Sequence, residues 1–143
     1  MNTRETIYQA LFSLVTTGLT WRTSSRRLEH WSNLSAEQQP ALFLVQKGET
    51  AIVQTKIPTK WELRCELWLY ANTSADRSVV PMSLLNPLID AIVNKLVPPG
   101  HIGEQTLNGL VERCRIDGQI ETDEGVLGDQ AVVIIPVTMF VPQ

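Results

Sequence analysis

The sequence predicts an α+β fold: an antiparallel sheet of about four or five strands with two main helices packed on it. Three observations carry that expectation. Lys60 to Ala71 alternates between apolar and charged side chains as far as Leu67. Thr3 to Thr17 and Pro87 to Val97 repeat apolar residues at helical spacing. Two long runs near the C-terminus flank an acidic, glycine-containing turn. With 143 residues, the chain has the size of one domain, spanning 1–143, large enough to bury a core without staples.

The first helix is expected at Thr3 to Thr17, where Ile7, Leu11, Leu14 and Val15 make a stripe that Tyr8 and Phe12 widen. So wide a stripe either lies deep in its own domain or touches a second subunit. Gly18 ends the helix as a C′ glycine. Leu19 to Leu28 reads as extended, and Trp31 to Gln39 as a short helical turn. Ser35 and Gln38 stand in capping-box positions there, and Pro40 ends the turn.

Ala41 to Val45 is a short apolar strand, Lys47-Gly48-Glu49 a turn, and Ala51 to Thr55 a further strand. The stretch from Gln46 to Lys60 reads as a long loop, expected to be mobile. In the alternating strand Trp61, Leu63, Cys65, Leu67 and Leu69 face the core. Glu62, Arg64 and Glu66 face water until Trp68 and Tyr70 interrupt the polar side. Cys65 and Leu67 should be buried with Leu88, Ile92 and Cys114.

Asn86 is the expected N-cap of the second helix, Pro87 its first residue, and Pro98-Pro99-Gly100 its terminator. A strand from Leu110 to Glu121 and a turn at Asp123 to Asp129 lead into the closing strand, Gln130 to Val141. That last strand is apolar on both faces, so both should be covered. Pro136 favours an edge or a bulge. A neighbouring subunit and a bulge within one chain both reconcile these signals.

The apolar fraction is 43%, the charged fraction 19% and the net charge -3. That balance argues against a nucleic-acid-binding domain, for which a pI above ~9 is usual. Arg22, Arg26 and Arg27 form the main basic cluster, either a solvated segment or a phosphate contact. Cys65 and Cys114 sit in apolar runs and read as reduced core residues, although strand neighbours could form a disulfide. The N-terminus lacks a signal-peptide pattern and the apolar runs are short of a membrane span, so a cytoplasmic protein is expected.

P-loop, dinucleotide-fingerprint, zincin and nucleophile-elbow motifs are missing from the sequence. His30 and His101 read as loop residues, and no metal or cofactor is expected. Glu121, Asp123, Glu124 and Asp129 are the best ion-like cluster, but they lack calcium-loop spacing. They read as a solvated hairpin tip or as a surface that repels DNA. The expectation is a protein that is not an enzyme.

Several segments resemble one family. Pro40-Ala41-Leu42-Phe43-Leu44 followed by Gly48-Glu49 is similar to the opening of the sheet in bacteriophage tail terminators and related minor tail proteins. Leu84 to Ile92 is similar to their central helix. Gln105-Thr106-Leu107-Asn108-Gly109, Cys114 to Gly118, and Gly125-Val126-Leu127-Gly128 leading into Gln130-Ala131-Val132 and Ile135-Pro136 resemble their closing segments. The likeness spans Pro40 to Val141, with Leu107-Asn108-Gly109 where a Leu-Gly-Gly is expected.

The resemblance implies a virion tail protein, made in the host cytoplasm, whose hexameric ring caps the tail tube and joins tail to head. Implied partners are further copies of itself, the tail tube protein and the head-tail connector, with DNA passing through unbound. A ring needs an interface of two unlike patches. Tyr8, Phe12, Val133, Ile135 and Val137 are the candidate subunit interface. Glu121, Asp123, Glu124 and Asp129 are the candidate lumen, and Lys47, Glu49, Lys56 and Lys60 the candidate tube contact. A head-completion or neck protein remains an alternative, as does a small cytoplasmic ligand-binding domain or enzyme.

Overall fold

The computed structural model describes residues 3–97, 103–126 and 128–142. His101, Leu127 and the Pro98-Pro99-Gly100 terminator lie outside the described residues. The elements are α1 (Arg4–Thr16), β1 (Thr23–Ser25), β2 (Ala41–Gln54), β3 (Ile57–Asn72), α2 (Met82–Leu96), β4 (Arg113–Ile116), β5 (Glu121–Glu124) and β6 (Gln130–Pro142). The fold is α+β, with two helices on one face of a six-stranded, mostly antiparallel sheet ordered β1-β2-β3-β6-β4. β1 pairs parallel to β2. β5 also pairs with β6.

α1 forms as its stripe requires. Thr3 caps it by accepting from the Thr6 N–H at 3.2 Å, and Gly18 follows at φ 77, a left-handed conformation that costs glycine little. Ile7, Tyr8, Leu11 and Val15 are buried in the main core with Leu42, Leu44, Cys65, Leu67, Leu88, Ile92 and Cys114. The predicted packing of Cys65 and Leu67 with α2 and Cys114 therefore holds.

α2 begins five residues earlier than predicted, at Met82, so Pro87 lies inside it and Asn86 is not its cap. The reason is a long-range cap. A Glu124 carboxylate oxygen accepts the Met82 N–H at 2.6 Å, supplying from β5 what local sequence does not. Pro87 is exposed, and its nitrogen simply leaves the Ser83 carbonyl without its helical donor.

The expected strand at Ala51 to Thr55 is the outer end of β2, and the rest of Gln46 to Lys60 is not a loop either. β2 runs through it, kinked by register shifts at Gln46/Gly48 and Ile52/Gln54, and returns through a tight turn at Lys56 (φ 64) into β3. Lys47-Gly48-Glu49 is therefore a bulged stretch of strand. Beyond Lys60, which opposes Pro142, β3 has only β2 as a neighbour. The end of this hairpin projects as a two-stranded arm.

β6 is central rather than an edge. β3 pairs along its whole length on one side, while β4 and β5 pair in line on the other. The expected strand Leu110 to Glu121 is thus only the short β4, and β5 starts at its last residue and runs into the expected turn, so Asp123 and Glu124 are strand residues. Pro136 accounts for the break. Its carbonyl accepts the Asp117 N–H at 3.2 Å, so its donorless nitrogen faces the same edge, in the gap between β4 and β5. Gly118 fills that gap at φ 125, where an added Cβ would come within 3.2 Å of the Pro136 ring.

The second sheet face is covered at one end by the segment around Trp31–Asn33 and Ala36–Gln38, both single 3-10 turns. Leu34, Ala41, Phe43 and Tyr70 make a small second core beneath it. Here Tyr70, which interrupts the polar side of β3, finds its cover, donating its hydroxyl to the Glu29 carbonyl at 2.8 Å. A reciprocal amide pair pins the segment: Gln39 Nε2 donates to Gln130 Oε1 at 3.2 Å and Gln130 Nε2 to Gln39 Oε1 at 2.8 Å.

Cys65 and Cys114 are buried and unpaired. Burial, with smaller contributions from Cys114 and Glu66, pushes the Cys65 thiol well above its ordinary range. Burial alone pushes Cys114 from 9.0 up to about 12 and Tyr70 from 10.0 up to about 12. Raised acid pKa values mean that the folded state holds protons the unfolded state has lost. This contribution to stability is complete below pH ~9 and is lost as pH rises from there toward 12. The expected result is a urea midpoint that falls progressively above pH 9. Both thiols should also resist alkylation until the chain unfolds. Rapid thiol labelling of native protein at neutral pH would contradict this.

Candidate functional site

Beside the small second core, the sheet face opens into a groove of about 630 Å3. Strand register builds it. Glu121 opposes Ile134 and Asp123 opposes Val132 across β5–β6; Ile134 opposes Trp68 across β6–β3. Directly opposed residues share a face, so two carboxylates stand beside an apolar strip. Trp31, from the covering segment, makes the far wall. His30 accepts the Ser32 N–H through Nδ1 at 3.1 Å, and its ring lies 5.0 Å from that of Trp31.

Charge in the groove is uncompensated. Elsewhere on this face Arg64 pairs with Glu62 at 3.5 Å and Lys47 with Glu66 at 3.8 Å, and Trp68 Nε1 donates to Glu66 at 3.1 Å. Among the described residues Glu121 and Asp123 enter no ion pair, and Asp123 Oδ1 is buried without a hydrogen-bond partner. A buried carboxylate oxygen with no donor is costly. A cation seated on the apolar strip would offset the charge of the two carboxylates and gain the faces of the tryptophans.

The predicted site residues distribute as follows. Tyr8, Val133, Ile135 and Val137 are 0–1% exposed within their own chain, so they form the core and not a subunit surface. Phe12 is partly buried against that core. The doubly apolar β6 has its covers in the same chain: the helices on one face, and on the other, in part, the segment around Trp31.

The acidic residues do not form one tip. Glu121, Asp123 and Glu124 belong to β5, and alternation sends Glu124 to the helix side to cap α2. Asp129 stands at the turn, its carbonyl accepting the Thr73 N–H at 3.0 Å. Of the tube-contact set, Lys47 pairs with Glu66, Glu49 with Arg4 and Lys60 with Glu112. Lys56 alone stands at the arm tip, with Val53 75% and Ile57 52% exposed near it. Arg26 is tied to Glu5 and Gln46, which answers the basic cluster in part.

Sequence reasoning missed the groove. Its signal was Trp68 breaking the polar side of β3; pairing it with Ile134, Glu121 and Asp123 needs the register of three strands. Among the described residues no cluster of metal-ligating side chains converges, and no helix is long and apolar enough to cross a membrane.

Fold and site together define an α+β domain whose second sheet face carries an open groove of aromatic, aliphatic and carboxylate side chains. In comparisons with known proteins, no family model matches the chain and no curated protein matches it.

Proposed function

We propose that this protein is a tail terminator of a long-tailed bacteriophage: a structural subunit that forms a hexameric ring on the tail tube, stops its polymerisation and joins tail to head. The observation that carries the reading is the family-like run from Pro40 to Val141, whose members fall where the backbone has special needs. Pro40 to Leu44 leads into the buried start of β2, and Leu84 to Ile92 lies within α2. Leu107, Asn108 and Gly109 all take positive φ, at 51, 61 and 89. Asparagine is among the few residues that tolerate that conformation, so it serves where a glycine is expected. Gly118 lies against Pro136.

In this reading the subunit works through contacts with further copies of itself, the tail tube protein and the head connector, in the virion tail. The net charge of -3 suits a channel through which DNA passes without the counterion-release gain of a basic surface. The test is a reconstruction of tail ends assembled with and without this subunit. With it, the head-proximal end should carry a ring of this chain on a tube of uniform length. Without it, tubes should overgrow and fail to join heads. A normal tail end that lacks the ring would end this reading.

A further inference from the structure

The β2–β3 arm and the acidic groove are complementary and lie at opposite ends of the sheet. The arm tip exposes Val53 and Ile57 beside Lys56, which enters no ion pair among the described residues. The groove offers Trp31, Trp68 and Ile134 as an apolar bed, Val126 at its rim, and Glu121 and Asp123 as unpaired carboxylates. We propose that the arm tip of one copy seats in the groove of the next, with Lys56 between Glu121 and Asp123 and the exposed aliphatic side chains against Ile134 and the tryptophans.

Distance makes the contact intermolecular. Lys56 and Trp68 are separated by a continuous strand of roughly a dozen residues, about 40 Å at a rise of ~3.3 Å per residue. The arm therefore points away from its own groove. Two unlike patches at opposite ends give a head-to-tail contact, which closes into a ring or runs on as a filament according to its rotation. The exposed apolar tip and the two carboxylates without an ion pair among the described residues are separate features, and one contact answers both. The inference rests on the ring reading for the number of copies, and it moves Lys56 from the tail tube to the neighbouring subunit.

Disulfide trapping tests it even where association is weak, because Cys65 and Cys114 are buried. Full-length Val53→Cys and Val126→Cys proteins, which keep Lys56, Glu121 and Asp123, are mixed and oxidised with copper phenanthroline and air. Val53→Cys mixed with Asp90→Cys, on the exposed side of α2, is the control. The expected yield of the Val53→Cys/Val126→Cys dimer is about tenfold or more above the control, as for groups held at high effective concentration. The yield should fall to control level when Asp123→Lys, which sets a like charge against Lys56, is added to the groove partner. The double variant Val53→Cys/Val126→Cys should give a ladder of covalent oligomers. Equal yields for the two mixtures overturn the proposal and leave the groove to another occupant. A ring on tail ends with the arm tips elsewhere overturns it while sparing the proposed function. Specific trapping without a ring on tails does the reverse.

Discussion

Replacing Leu67 by alanine is expected to destabilise the fold by about 2–5 kcal/mol, the range for deleting a buried leucine side chain whose site cannot fully collapse. Leu67 is 0% exposed on the helix face of β3, opposite Leu44 of β2 and Ile135 of β6. Its neighbours on both strands are themselves held in ladders, so they cannot move in to fill the space. Against a typical total stability of about 5–15 kcal/mol the loss is large. It should lower the urea midpoint without changing the slope of the transition. Val53→Ala, at the exposed arm tip, should shift stability by no more than ~0.5 kcal/mol. Equal effects of the two substitutions would mean that the core is not centred on β3.

Gln130→Leu is expected to cost about 2–4 kcal/mol although it adds apolar volume to a buried position, because it orphans its partners. Gln39 is 5% exposed, and its amide depends on Gln130 for both an acceptor and a donor. Asn72 Nδ2 also donates to Gln130 Oε1, at 3.0 Å. The cost should fall on the covering segment first, with Trp31 becoming more solvent-exposed before the whole chain unfolds. Gln39→Leu combined with Gln130→Leu should cost less than the two single losses added together, since no buried amide is then left alone. Strict additivity would show that the two amides do not act as a pair.

The fold class was legible because each main element is amphipathic against one core. The α1 stripe and the β3 alternation encode which side chains go inward, and burial of Ile7, Leu11, Leu63, Cys65, Leu67 and Leu69 follows from that periodicity. The arm was illegible for the converse reason. Ala51 to Thr55 reads as a strand, but neither face of the arm is covered, so no apolar alternation ties it to the sheet, and Gly48, Lys56 and Pro58 give the stretch the composition of a loop.

Other features depend on residues far apart in sequence. Met82 starts α2 because Glu124 reaches it from β5, so the local pattern at Asn86-Pro87 marks the wrong boundary. The two apolar faces of β6 signal burial from both sides but do not name the covers. Strand order supplies them from within the chain, and so returns Tyr8, Val133, Ile135 and Val137 to the core. The acidic run shows the same division. Sequence alone determined that carboxylates cluster near the closing hairpin. Only the pairing of β5 with β6 decided that Glu124 caps a helix while Glu121 and Asp123 face Trp68, because side chains on a strand alternate and the paired strand sets what each one meets.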